Sequence, residues 1–149
     1  MKKVVLLILT ILVFSSCEDN PVSSFSDKAS AELQKWKSLG INSYTITQRR
    51  FASLSGSEKY VRIYVTNNTI TDIRDSSGTT TIQSENWKWY KSVDQLFEIL
   101  IDTKNTRPSY YDVLYDDTYH YPAALSLGPG TAKQSEAYSF LTFDLVANK

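Results

Sequence analysis

The feature that most constrains this chain is strict alternation, carried furthest between Tyr110 and Leu127. Tyr111, Val113 and Tyr115 alternate there with Asp112, Leu114 and Asp116. A period of two, built from aromatic and β-branched side chains, specifies a strand with unlike faces. Asp116-Asp117-Thr118 follows, and such side chains hydrogen-bond their own backbone in tight turns. Pro122 has a fixed φ and no N–H, which suits the first position of a strand. Ala123, Leu125 and Leu127 then form one face of a returning strand, and Gly128-Pro129-Gly130 ends it. This hairpin holds five of the ten tyrosines and the only histidine, His120.

The same reasoning places the other elements. Ala29, Leu33, Trp36 and Leu39 recur at helical spacing, so Asp27 to Leu39 is expected to be a helix. Ser26-Asp27 is its expected N-cap and Gly40 its stop. Tyr44, Ile46, Gln48 and Arg50 share one face of a strand. Lys59 to Thr66 alternates most cleanly, with Val61, Ile63 and Val65 as the face to be buried. Asn67-Asn68 fits a two-residue turn with positive φ, and Ile70 and Ile73 break the alternation, which implies a bulge near Asp72. Ser92 and Gln95 have capping-box spacing ahead of the apolar stripe Val93, Leu96, Phe97, Leu100 and Ile101. Ala137 to Val146 is the last strand, with Tyr138, Phe140, Thr142 and Asp144 opposite Ser139, Leu141, Phe143 and Leu145. The expected fold is therefore α+β: two helix-plus-three-strand halves (αβββαβββ) in one antiparallel sheet, with helices packed on one face.

Tyr115-Asp116, a short gap, then Tyr119-His120-Tyr121-Pro122 resembles the pattern of DUF6174, a family of small bacterial lipoproteins of unknown function. The resemblance extends to Trp36, to Gly40-Ile41-Asn42-Ser43-Tyr44 and to the helix around Val93 to Leu100. His120 stands where the family commonly has glycine. Among non-glycine residues, histidine is one of the better ones at positive φ. The resemblance implies a fold and a location rather than a reaction.

The N-terminus points to export. Lys2-Lys3 is followed by an apolar run, Val4 to Phe14, too short for the ~20 residues of a spanning helix. Ser15-Ser16-Cys17 then supplies small residues before a lone cysteine. Residues 1–16 are read as a lipoprotein signal peptide, Cys17 as the lipidation site, residues 17–26 as a flexible lipid-anchored tether, and residues 27–149 as one domain. Cleavage before Cys17 removes Lys2 and Lys3 from 16 basic residues and none of the 16 acidic ones, leaving a charge of about −2. That balance gives no electrostatic case for nucleic acid. A single cysteine excludes internal disulfides, so stability rests on the core.

The expected function is a non-enzymatic binding module of the bacterial envelope, on the outer membrane by preference, anchored to the membrane by lipid on Cys17. An envelope protein or polymer is the expected partner, and no cofactor or metal is expected. Candidate contacts are Tyr119, His120, Tyr121, Asp116 and Asp117 on the hairpin, with the exposed sheet edge. Trp87 and Trp89 are a second candidate, as a stacking surface for a glycan or partner; the same rings also suit a cover over the core. One histidine cannot form a two-imidazole metal site, and no Gly-x-Ser-x-Gly elbow occurs. Two alternatives remain: a carboxylate-dependent envelope hydrolase acting on glycan through Asp112 or Asp116, and a structural envelope protein without a discrete site.

Overall fold

A computed structural model describes residues 21–51, 59–130 and 137–148. The expected lipid site at Cys17, the signal peptide and the Ser53–Ser57 turn lie outside the described residues. The elements run α1 (Pro21–Ser38), β1 (Tyr44–Arg50), β2 (Val61–Thr66), β3 (Thr69–Asp75), a 3-10 helix (Ser84–Trp89), α2 (Val93–Ile101), a short α3 (Thr103–Thr106), β4 (Tyr111–Tyr115), β5 (Pro122–Leu127) and β6 (Tyr138–Ala147).

The six strands form one antiparallel sheet in the order β3-β2-β1-β6-β5-β4. The class is α+β, as expected. The simpler αβββαβββ layout is corrected by the 3-10 helix ahead of α2 and by α3 behind it. The central pairing joins β1, the first strand of one half, to β6, the last strand of the other. The halves therefore meet through unlike positions.

One face of the sheet is the core. Tyr44 and Ile46 of β1, Val61, Ile63 and Val65 of β2, Ile73 of β3, Leu125 and Leu127 of β5, and Phe140 of β6 are buried there. Ala29 and Trp36 of α1 and the α2 stripe Val93, Leu96, Phe97 and Leu100 close over them. The β2 pattern is the simplest case: period two buries every second residue and exposes Arg62 and Thr66.

The start of α2 shows how polar groups are satisfied inside this core. Ser92 Oγ accepts from Gln95 N at 3.3 Å, and Gln95 Oε1 accepts from Ser92 N at 2.9 Å, completing the expected capping box. Tyr44 Oη accepts from Val93 N at 2.9 Å. Burial pushes the Tyr44 hydroxyl well above the usual tyrosine range. Gln48, fully buried, takes Lys91 N at 3.0 Å and donates to Lys91 O at 3.1 Å. Each of these bonds satisfies a backbone group at the helix start, and that of Val93 N to Tyr44 is fully buried.

Three further expectations are refined. Helix α1 begins at Pro21, so Ser26 is not its cap and residues 21–26 are not tether. Ser26 is buried, and its Oγ donates to Ile101 O at 3.0 Å, tying α1 to the end of α2. In β6, Asp144 has φ 54° and the pairing with β1 slips between Thr45 and Thr47. That bulge turns Leu145 inward and Asp144 outward, the reverse of strict alternation. The bulge expected near Asp72 falls at Thr71, where Val65 pairs Ile70 and Tyr64 pairs Asp72. Asn67 and Asn68 have φ 49° and 61°, as their turn requires.

Candidate functional site

The tyrosine-rich hairpin is first of all a structural joint. Asp116 Oδ1 accepts from Thr118 N at 3.0 Å and Tyr119 N at 2.7 Å, while Asp116 N donates to Tyr121 O at 2.9 Å. His120 has φ 62°, the left-handed conformation in which glycine is most at ease. Its Nδ1 lies 3.2 Å from Glu32 Oε2, so the turn is latched to α1. Tyr121 is only 3% exposed, and burial, with the charges of Asp116 and Asp144, pushes its hydroxyl up to about 12. Tyr119 packs against the core. Tyr115 stacks on Phe97, and its buried Oη has no hydrogen-bond partner among the described residues. Burial, then the charge of Glu32, raises that hydroxyl further still. Of the five hairpin candidates, Asp117 is exposed, while Asp116 and His120 are half-exposed and already engaged.

The tryptophan segment divides in the same way. Trp87 is half-buried against the core and its Nε1 donates to Ile82 O at 2.9 Å. Trp89 is 38% exposed, with the Arg50 guanidinium 4.5 Å and the Lys88 ammonium 4.8 Å from its ring. Arg50 ends β1, and it pairs with Phe140, which pairs with Leu125. The hairpin turn lies before Pro122, toward the other end of the strands. Hairpin and tryptophans are therefore two separate places; of the expected contacts Asp117 and Trp89 are exposed, Asp116, Tyr119, His120 and Trp87 are partly exposed, and Tyr121 is buried.

The sequence reading missed the outer face of the sheet, away from the helices. Cross-strand pairing builds ordered rows on it. Phe51, Ser139, Ser126 and Asp112 follow one another across β1, β6, β5 and β4; Arg49, Leu141, Ala124 and Leu114 form the next row. Small side chains at Ala124, Ser126 and Ser139 leave a cavity of about 180 Å³, bounded by Phe51, Leu141 and Asp112. The Arg49 guanidinium lies over the Phe51 ring at 4.5 Å and near the Tyr60 ring at 5.3 Å. Tyr60 meets Phe143 edge-on at 5.5 Å. Leu114 is 64%, Val146 58% and Phe51 43% exposed. The signal was present in the sequence, because Leu114, Leu141 and Phe143 are apolar on the side that alternation assigns to water; Val146 joins them only through the bulge at Asp144.

A second cavity, of about 290 Å³, lies at the C-terminal end of α1, where Trp36, Gly40, Ile41 and Asn42 meet Asn68 and Asp94. Trp36 Nε1 donates to Asp94 Oδ1 at 3.1 Å, and its ring is buried against Tyr44, so no stacking face is on offer. Among the described residues no group of three His, Cys, Asp or Glu side chains is arranged to hold a metal, and no helix is long and apolar enough to cross a membrane.

The molecule is thus an α+β domain in which, among the described residues, helices cover one sheet face and none covers the other. A family model of unknown function, DUF6174, matches residues 28–146, and the chain belongs to that family. No curated protein and no solved structure matches it.

Proposed function

We propose that this chain is an exported, lipid-anchored protein of the bacterial envelope that works by binding rather than by catalysis. Residues 1–16 would be removed and Cys17 acylated, holding the domain at the outer membrane. The observation that supports binding is the outer face, which no described helix covers and where Phe51, Leu114 and Val146 expose apolar surface beside stacked Arg49. Aromatic and arginine side chains next to apolar area are typical of interface centres. The partner is an envelope protein or polymer.

The competing reading is a glycan hydrolase that uses Asp112. Asp112 does border the 180 Å³ cavity. Two-carboxylate hydrolysis needs a second acid at fixed separation, and among the described residues Asp112 is the one carboxylate in that lining.

The test is a crosslinking pull-down of the lipidated protein from its native envelope. It runs beside the double variant Phe51→Ser, Val146→Lys, whose positions are exposed enough to leave folding intact. A partner lost in the variant supports the reading, and an unchanged set of partners refutes it. A Cys17→Ser chain that stays in the membrane fraction removes the lipid anchor from the proposal.

A further inference from the structure

The two edges of the sheet are unlike. Along β3 the chain closes its own edge: Ile82 N donates to Ile73 O at 2.7 Å, Asp75 N donates to Thr80 O at 2.9 Å, and Arg74 bridges to Thr81. Along β4 no described strand follows. The orientation of its amides comes from the ladder. Tyr110 O accepts from Gly128 N at 2.9 Å, toward β5. Successive residues of an antiparallel strand point their N–H and C=O to opposite sides. Tyr111, Val113 and Tyr115 therefore aim theirs at the open edge. Natural edges are usually blocked by lysine, proline or a covering segment. From Tyr110 to Tyr121 there is no lysine, arginine or proline, only Asp112, Asp116 and Asp117 among the charged side chains.

We propose that β4 receives an extended, basic segment of another protein as a seventh strand. The proposal rests on the binding-module reading and specifies its partner. Main-chain bonds to Tyr111, Val113 and Tyr115 would supply the pairing, as in strand addition generally. Specificity follows from Asp112. It is exposed and ends the row Phe51–Ser139–Ser126–Asp112, so an added strand places one side chain directly opposite it. A lysine or arginine there completes a cross-strand ion pair, with an apolar residue two positions on against Leu114. A second copy fits less well. Centring an antiparallel pair on Val113 sets Asp112 against the partner's Leu114 and brings two acidic hairpins together, with nothing basic on either strand.

The experiment is hydrogen exchange on the purified full-length chain, with a six-residue threonine-rich peptide that carries one lysine and, two positions away on the same face, one valine, and a control with glutamate for lysine. Expected is protection of the Tyr111, Val113 and Tyr115 amides by the lysine peptide alone, with Asp112 and Leu114, already bonded to β5, unchanged. Affinity should fall with salt. Asp112→Lys should weaken the lysine peptide about five-fold and favour the glutamate peptide. Val113→Pro, shown folded by circular dichroism, should abolish the protection. Protection elsewhere, or equal binding of both peptides, overturns the proposal. So does concentration-dependent pairing of the chain with itself through β4. If the peptides fail while the pull-down still loses a partner in the Phe51→Ser, Val146→Lys variant, strand addition is wrong and the binding module stands.

Discussion

β3 and β4 stand at opposite edges of one sheet, and among the described residues only the first edge is bonded to a further segment of the chain. The β3 edge is held by the segment from Thr80 to Ile82, which Trp87 in turn fixes through Ile82 O. Ile73 behind it is fully buried, and Arg74 is fastened to Asp72 at 2.7 Å and lies over Tyr64. The β4 edge has a half-buried inner row, Tyr111, Val113 and Tyr115, and exposed Asp112 and Leu114 on the other side. An edge sealed by a loop belongs to the fold. The β4 edge, to which no described segment is bonded, carries Asp112 with the Lys28 ammonium of α1 over the Tyr115 ring, and it is the edge proposed to receive another chain.

Core substitutions should break the comparison most sharply. Ile73→Ala removes a fully buried side chain and is expected to cost about 2–5 kcal/mol. Val113→Ala, at the half-buried counterpart on β4, should cost only about 1 kcal/mol. Denaturant unfolding of both variants measures the difference, and equal losses would mean that the two edges are packed alike.

Acid should loosen the sealed edge before the open one. Asp75 accepts from Ser77 Oγ at 2.7 Å and from Thr79 and Thr80 amides at 3.0 and 3.3 Å. These bonds, led by that of Ser77, hold its carboxyl down at about 2. A carboxyl depressed in the folded state stabilises it above the unfolded value of about 3.9 and loses that contribution as pH falls toward 2. The protection factor of the Ile82 amide, its exchange relative to the intrinsic rate at each pH, should therefore fall between about pH 4 and 2, and Asp75→Asn should remove that fall. A protection factor unchanged over that range in the parent chain would count against the clasp.

The smallest effect is expected at the turn beyond β4. His120→Gly relieves a left-handed backbone and loses the contact with Glu32. A half-exposed contact of this kind contributes about 0–1 kcal/mol. The net change should be a stabilisation below about 1 kcal/mol, read from the thermal midpoint. A clear loss would mean that the latch to α1 matters more than the strain.

Much of the fold was legible. Val61, Ile63 and Val65 are buried because a strand has no other way to hide three branched residues of equal parity. Ser92 and Gln95 cap α2 because the spacing fits helix geometry alone. The candidate site was far less legible. Tyr121 looked like a contact because tyrosine is common at interfaces, yet packing against the core decides its place. Leu145 faces inward because Asp144 bulges, and no local pattern around it announces the slip.

By itself the sequence determined what depends on neighbours in the chain: strand parity, the Asn67-Asn68 turn, the capping box, the stop at Gly40. The tertiary structure decided what depends on partners distant in the chain. It placed β1 beside β6, aligned Phe51, Ser139, Ser126 and Asp112 in one row, buried Tyr121, and left β4 at an open edge. The physical reason is that a strand's side-chain alternation is set by its own backbone, while its neighbours and the bonding of its outward amides are set by which other segments reach it.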